Sequence, residues 1–336
     1  MNLPLRTPDD WQTLLSQTLD DPAELIRLLE LPESLIEAAR QASGDFPLRI
    51  PRPYLSRIQK GDINDPLLKQ VLPLGKELRQ VPGYLTDPLA EKAANPQEGL
   101  IHKYQGRVLL IMTGACAINC RYCFRRHFPY QENRLGPAQW QQLLDYLKND
   151  NSIEEVIFSG GDPLALSDSR LDKLISDLAE IPHIKRLRIH SRLPVVIPQR
   201  ITESLINLLT RSRLNCIMVL HVNHANEVDD AVRLALAHLK KAGIVLFNQA
   251  VLLKGINDSV AALKNLSETL FEAGTLPYYL FVLDPVKGAA HFDIPDTEAQ
   301  RLVGQLQTQL PGYLVPRLAR EVPGKPSKTI LPVITD

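Results

Sequence analysis

The sequence predicts an α/β fold in which six strand–helix units build a parallel sheet with helices on its outside. Three observations carry this expectation. From residue 107 onward, short β-branched runs alternate with amphipathic segments, the pattern of repeated βα units. A chain of 336 residues, 44% of them hydrophobic, suits one barrel with additions and can supply its core. The chemically distinctive residues gather at or just beyond the ends of the predicted strands, where parallel α/β folds bind ligands.

Ahead of the units, residues 1–100 read as helical stretches ("DWQTLLSQTL", "PAELIRLLEL") and then a proline-rich passage through Pro47, Pro51, Pro53, Pro66, Pro73, Pro82 and Pro88, expected to wrap the surface. Residues 101–310 hold the units. Their strands are "RVLLIMT" (107–113), "EEVIFSG" (154–160), "IKRLRIHS" (184–191), "CIMVLHVN" (216–223), "IVLFNQAVLL" (244–253) and "YYLFVLD" (278–284). Helices are expected over 136–149, 168–179, 203–212, 228–242, 259–273 and 296–310. Ser167 and Thr202 are suited to open two of them, and Gly243 to close one. Residues 311–336 form a Pro/Gly-rich tail to which no strand is assigned, and no internal repeat is present.

Lys and Arg together number 38, as do Asp and Glu, so no global field recruits nucleic acid or an acidic membrane. The start, "MNLPLRTPDDWQ", lacks a basic region followed by an apolar one, and no later apolar run approaches the roughly 20 residues that span a bilayer. A cytoplasmic protein is expected. There, four cysteines, three of them crowded, suggest metal or redox chemistry rather than disulfides.

The crowded cysteines are Cys116, Cys120 and Cys123 in "GACAINCRYCFRRHFPY", beside Arg121, Arg125 and Arg126. Inert buried thiols, a structural zinc site with His127 as fourth ligand, and an iron–sulfur cluster are the three readings. Closed zinc sites pair C-x2-C units with each other or with a histidine pair, whereas here a C-x3-C spacing precedes one C-x2-C. Most [4Fe–4S] clusters take four cysteines, so three would leave one iron open to a small molecule. Cys216 lies on a different strand and reads as a core residue.

C-x3-C-x2-C in the loop after the first barrel strand, with "SGGDP" at 159–163 closing the second, resembles the radical S-adenosylmethionine (SAM) superfamily. The resemblance implies a partial (βα)6 barrel, a [4Fe–4S] cluster on Cys116, Cys120 and Cys123, and SAM chelated to the open iron. It also implies SAM contacts from Ser159, Gly160, Gly161, Asp162 and Gln249, the glycines allowing close backbone approach to the ligand.

Residues 60–332 are further similar to lysine 2,3-aminomutases, through "DPLLKQVLP", "HKYQGRVLLI", "CRYCFRR", "SRLPVVIPQRIT", "NQAVLLKGIND", "GAAHF" and "GYLVPRLAREVPGKPSK". Within that family, "CAINCRYCFRRHFPYQEN", "IPHIKRLRIHSRLP" and "LAREVPGKPSKT" resemble the short bacterial members dedicated to elongation factor P. The family carries pyridoxal 5′-phosphate (PLP). The resemblance implies Lys328 as its Schiff-base lysine, with Lys325 as the rival, and Lys103 and Arg107 as its phosphate pair. It gives Arg125 the substrate carboxylate, and Asp284 and Glu321 the distant ammonium. Glu321 is Asp in catabolic relatives, and Tyr122 replaces a histidine near the adenine. His190, His221 and His224 are assigned only to the barrel mouth.

The implied reaction converts L-α-lysine to (R)-β-lysine: a SAM-derived 5′-deoxyadenosyl radical acts on a PLP aldimine of lysine, and an external electron donor starts it. The β-lysine would pass to a ligase homologous to lysyl-tRNA synthetase that modifies elongation factor P. Because the chain stops soon after the lysine loop, without the cysteine-bearing extension of catabolic relatives, no structural zinc is expected and homo-oligomer formation stays open. Two other readings remain: an aminomutase for glutamate or arginine, and a non-catalytic zinc-binding module.

Overall fold

The computed structural model describes residues 10–133 and 135–335. The expectation resting on the first nine residues therefore lies outside it, as do Arg134 and Asp336. Strands β1 (Leu100–Tyr104) and β2 (Arg107–Thr113) form an antiparallel hairpin. Five strands follow in parallel: β3 (Glu155–Gly160), β4 (Arg186–Ser191), β5 (Asn215–Leu220), β6 (Val245–Val251) and β7 (Leu276–Phe281). A further parallel strand, β8 (Arg317–Arg320), extends the sheet, and β9 (Thr329–Ile330) returns antiparallel along it. The order β1 through β9 follows the chain and does not close, which makes the sheet a partial barrel.

The six predicted units are present. Their helices are Pro137–Asn149, Asp168–Ala179, Glu203–Thr210, Asp230–Lys241, Val260–Glu272 and Asp296–Gln307. Ser167 and Thr202 cap as expected, their side chains accepting from the backbone N–H groups of Arg170 and Leu205. Gly243 closes its helix at φ +81°. Strand β8 departs from the sequence reading. Its "RLAR" carries two arginines and an alanine and has little β character of its own, but Leu318 and Ala319 are buried and its register on β7 supplies the pairing.

Side-chain alternation separates the two faces of the sheet. Val108, Leu110, Phe158, Ile189, Met218 and Leu280 point outward into one core shared with the helices. The inner face is different: Arg107, Arg188, His190, Phe247, Gln249 and Tyr279 are only half-buried. The concave side thus mixes charged and polar groups with aromatic ones and is partly open, a lining suited to a ligand.

The segment before β1 joins the same core rather than merely lying over it, through Trp11, Leu14, Leu25, Ile26 and Tyr54. Its helices include Trp11–Ser16, Pro22–Leu28 and Ile36–Asp45. Asp65 fastens a later turn by accepting from the N–H groups of Leu67 and Leu68 at 2.8 Å each. Among the described residues no helix is long and apolar enough to cross a membrane.

Candidate active site

The loop after β2 carries Cys116, Cys120 and Cys123 as free, half-buried thiols. Two of the neighbouring arginines anchor it. Arg121, fully buried, donates through Nε and Nη2 to the two oxygens of Glu77 at 2.9 and 2.6 Å, and through Nη1 to the Phe46 carbonyl at 2.7 Å. Arg126 Nη2 donates to the same carboxylate at 2.8 Å. One buried acid from the N-terminal segment thus neutralises two cations and pins the cysteine loop.

The thiols sense one another. Burial raises the pKa of Cys116 well above the ordinary value, and Cys123, Asp162 and Cys120 raise it further. Burial and Cys120 push Cys123 up to about 11. Three soft donors that cannot easily all ionise beside one another are a set that bound iron would stabilise as thiolates. Among the described residues no three His, Cys, Asp or Glu side chains converge on a single-ion site. A cuboidal cluster does not ask for that, because each thiolate binds a different iron. Cys216 stands apart on β5, packed against the core, and burial pushes its thiol up to about 12.

"SGGDP" closes β3 against the start of this loop. A Cβ on Gly160, at φ +116°, would stand 2.6 Å from the Thr113 carbonyl oxygen, and one on Gly161 would collide with that of Ala115. The glycines therefore admit the protein's own backbone, through hydrogen bonds from Gly161 N to Thr113 O (2.7 Å) and Asp162 N to Ala115 O (2.8 Å). Asp162 is buried and its oxygens are well supplied. Oδ1 accepts from Leu164 N and Ser191 Oγ, and Oδ2 from Arg192 N and Leu193 N, at 2.7 to 3.0 Å. It ties the end of β3 to the end of β4. Ser159 accepts from Arg125 at 3.1 Å, and Gln249 lies half-buried on the inner face, in register with Tyr279.

Arg192, to which no role was given from the sequence, links the loop to the far side of the barrel. Its Nη1 lies 2.6 Å from Cys120 Sγ and 2.8 Å from Tyr122 Oη, while Nη2 reaches Gln70 (2.7 Å) and Glu227 (2.8 Å). Tyr122 is buried in this network, receiving Asn223 Nδ2 at 2.6 Å and stacking on His221. Burial, then Arg192, drives His221 down to about 3, which keeps it neutral.

A chain of alternating charges crosses from the cysteine loop to the lysine loop. Arg125 Nε and Nη2 donate to Glu91 at 2.7 and 2.8 Å. Glu91 lies 3.6 Å from Lys103 Nζ, and Lys103 donates to Glu321 at 2.8 Å. Glu321 lies 3.6 Å from Lys328 Nζ. The Lys103–Glu321 bond spans the open seam between the two edges of the sheet, and it brings together residues 218 positions apart.

Lys328 sits among the rings of Tyr104, Tyr279 and Phe281, 5.2 to 5.8 Å from their centres, whereas Lys325 is exposed. Burial lowers the Lys328 pKa; Glu321 opposes this, and Arg107, Arg188 and Lys103 add to it. Arg107 itself stacks on Tyr104 at 4.7 Å. Burial would raise Glu321, but Lys328 and Lys103 hold it below the usual carboxylate value. Asp284 behaves oppositely, as burial, Glu321 and Glu91 push it up to about 7. His190, on the inner face, is pushed well down by burial and by Arg188, Lys328 and Arg125, and its Nε2 has no partner among the described residues.

A partial barrel of parallel strands whose first βα loop carries C-x3-C-x2-C on free thiols defines the radical SAM class, and residues 110–266 match the Radical SAM superfamily. A [4Fe–4S] cluster and SAM come with that superfamily. Over 332 residues the chain is 52% identical to the L-lysine 2,3-aminomutase of Escherichia coli (strain K12), covering 98% of this chain and 96% of the relative. It is 50% identical over 326 residues to the Haemophilus influenzae L-lysine 2,3-aminomutase, covering 97% and 96%. The enzyme of that name from Clostridium subterminale is 37% identical over 325 residues, 96% of this chain and 77% of the relative. The chain belongs to the lysine 2,3-aminomutase family of radical SAM enzymes.

Proposed function

We propose that this chain is a PLP-dependent isomerase that converts L-α-lysine to (R)-β-lysine. The observation that carries the reading is the Lys328 amine, held among three rings with a lowered pKa beside Glu321 and Arg107. An amine that must bond to a carbonyl needs its neutral form, and partial burial among cations favours that form. The site therefore fits PLP, with Lys328 holding the ring and Arg107 and Lys103 suited to the phosphate.

When bound, PLP would supply conjugation for the substrate α-nitrogen, and the cluster with SAM would supply radical chemistry for a β-hydrogen. The chain's own groups do the rest. Arg125 anchors the substrate carboxylate, and Asp284 with Glu321 receives the side-chain ammonium, so lysine is held at both ends. Cys116, Cys120 and Cys123 hold the cluster, and the end of β3 (Ser159, Gly160, Gly161, Asp162) and Gln249 flank SAM. The rings around Lys328 shield the reacting atoms from water.

The product serves elongation factor P through the lysyl-tRNA-synthetase-like ligase, in the cytoplasm, with reducing equivalents from an external donor. The resemblance of three blocks to the short bacterial members supports this part. The test is turnover by protein reconstituted anaerobically with iron, sulfide, SAM, PLP and reductant, offered L-lysine, L-glutamate or L-arginine in turn. β-Lysine formed only from lysine, only with PLP, and accepted by the ligase for transfer to elongation factor P supports the proposal. A β-amino acid from glutamate or arginine instead, or equal turnover without PLP, overturns it.

A further inference from the structure

Glu91 has no role in the reading so far, yet it is 4% exposed and both its oxygens are engaged by Arg125. We infer that Glu91 is a positioning residue that fixes the direction in which Arg125 meets the substrate carboxylate. The inference rests on the assignment of Arg125 to that carboxylate.

A guanidinium offers a carboxylate two forked edges, one formed by Nε with one terminal nitrogen and one by the two terminal nitrogens. Glu91 occupies the first, through Nε and Nη2 at 2.7 and 2.8 Å. The other terminal nitrogen, Nη1, points toward the end of β3, where it donates to Ser159 Oγ at 3.1 Å. The second edge is thereby turned to the barrel interior while the plane is held from behind. A second anion arriving at Arg125 must use that edge, because Glu91 repels it from the first.

The acid itself is held firmly. The backbone N–H groups of Glu91 and Lys92 donate to the two oxygens of Asp87 at 2.9 and 3.3 Å, and the preceding Ala90 adopts φ +48°, a left-handed conformation unusual for alanine. Glu91 also lies 3.6 Å from Lys103 Nζ, so one carboxylate sets the spacing between two cations that the proposed reaction uses for different anions. A buried ion pair is a poor source of net stability, because desolvation offsets its attraction. Its geometry is what the site gains.

The experiment compares kcat/KM for L-lysine and for its carboxamide analogue, L-lysinamide, in the reconstituted holoenzyme, for the parent, Glu91→Gln, Glu91→Asp and Arg125→Gln. Lysinamide lacks the anionic carboxylate, so the ratio of the two values reads the use made of Arg125. Glu91→Gln is expected to lower the ratio by about tenfold or more, mainly through KM for lysine, the scale of one misaligned charge-assisted hydrogen bond. Glu91→Asp, which keeps the charge on a shorter stem, is expected to lower it less, and it carries the same test if the Gln variant does not fold. A ratio unchanged in the Glu91 variants but lowered in Arg125→Gln would overturn the inference and leave the Arg125 assignment standing. A ratio unchanged in Arg125→Gln would overturn the assignment itself, and the inference with it.

Discussion

Asp284 makes the proposed substrate site pH-sensitive in a calculable way. Its carboxyl is pushed up to about 7 by burial, Glu321 and Glu91. It must be ionised to receive an ammonium. With a pKa raised from the model-peptide range, the binding-competent form is lost as pH falls through about 7. Between about pH 8 and about pH 6 the ionised fraction drops from roughly nine-tenths to just under one-tenth, so KM for L-lysine should rise about tenfold. An arriving ammonium reverses the balance by pairing with Asp284, so binding at about pH 7 should release roughly half a proton. Kinetics across this range give the first quantity, and calorimetry in two buffers of different protonation enthalpy gives the second. Asp284→Asn should bind lysine more weakly at the upper end and lose this part of the pH dependence. Comparison with that variant cancels any contribution from the substrate's own α-amine. An identical slope in the parent and Asp284→Asn, or binding without proton release, would show that Asp284 does not receive the ammonium.

Three further outcomes follow from the geometry. Borohydride treatment of the PLP-loaded protein should fix the cofactor on the peptide containing Lys328, and peptide mapping of a Lys328→Ala variant should find no such adduct, including at exposed Lys325. Glu77→Ala leaves Arg121 and Arg126 buried without their counter-charge, so it should cost about 3–5 kcal/mol in denaturant unfolding and lower the iron retained on reconstitution. Gly161→Ala places a methyl group against the Ala115 carbonyl and should cost about 1–3 kcal/mol while lowering cluster content. By contrast Gly44→Ala, in the helix Ile36–Asp45 with open space around it, should leave both unchanged or raise stability by up to about 1 kcal/mol.

The strand–helix rhythm was legible because each barrel strand alternates between a core-facing and an interior-facing side, and each helix buries one stripe. Strand β8 was not, because its four residues owe their conformation to pairing with β7 rather than to local preference. The cysteine loop announced itself by spacing, but its arginines could not be sorted from sequence. Arg121 and Arg126 look as available for an anion as Arg125 does, and only the fold shows that Glu77, more than forty positions earlier, claims them. In the same way "SGGDP" reads as a ligand-contacting turn, while the structure shows its glycines first accommodating the backbone of 113–115. Glu91 and Arg192 escaped for the complementary reason. Neither neighbourhood says what its charge will meet, because the partners come from distant elements. Asp284 and Glu321 read as a pair from the sequence, but their opposite pKa directions arise from surroundings that sequence does not display: Lys328 and Lys103 stabilise charge on Glu321, and that charge then burdens Asp284.

The most direct test of the proposed reaction follows the hydrogen. Reconstituted protein would be given SAM, PLP, reductant and L-lysine carrying deuterium at both β-hydrogens, with the product and the recovered SAM examined by mass spectrometry. The expected products are (R)-β-lysine that has gained deuterium on its α-carbon, and SAM labelled at the 5′-carbon of its adenosyl group. Accumulation of 5′-deoxyadenosine with no β-lysine, or β-lysine formed while SAM stays unlabelled, would contradict that reaction.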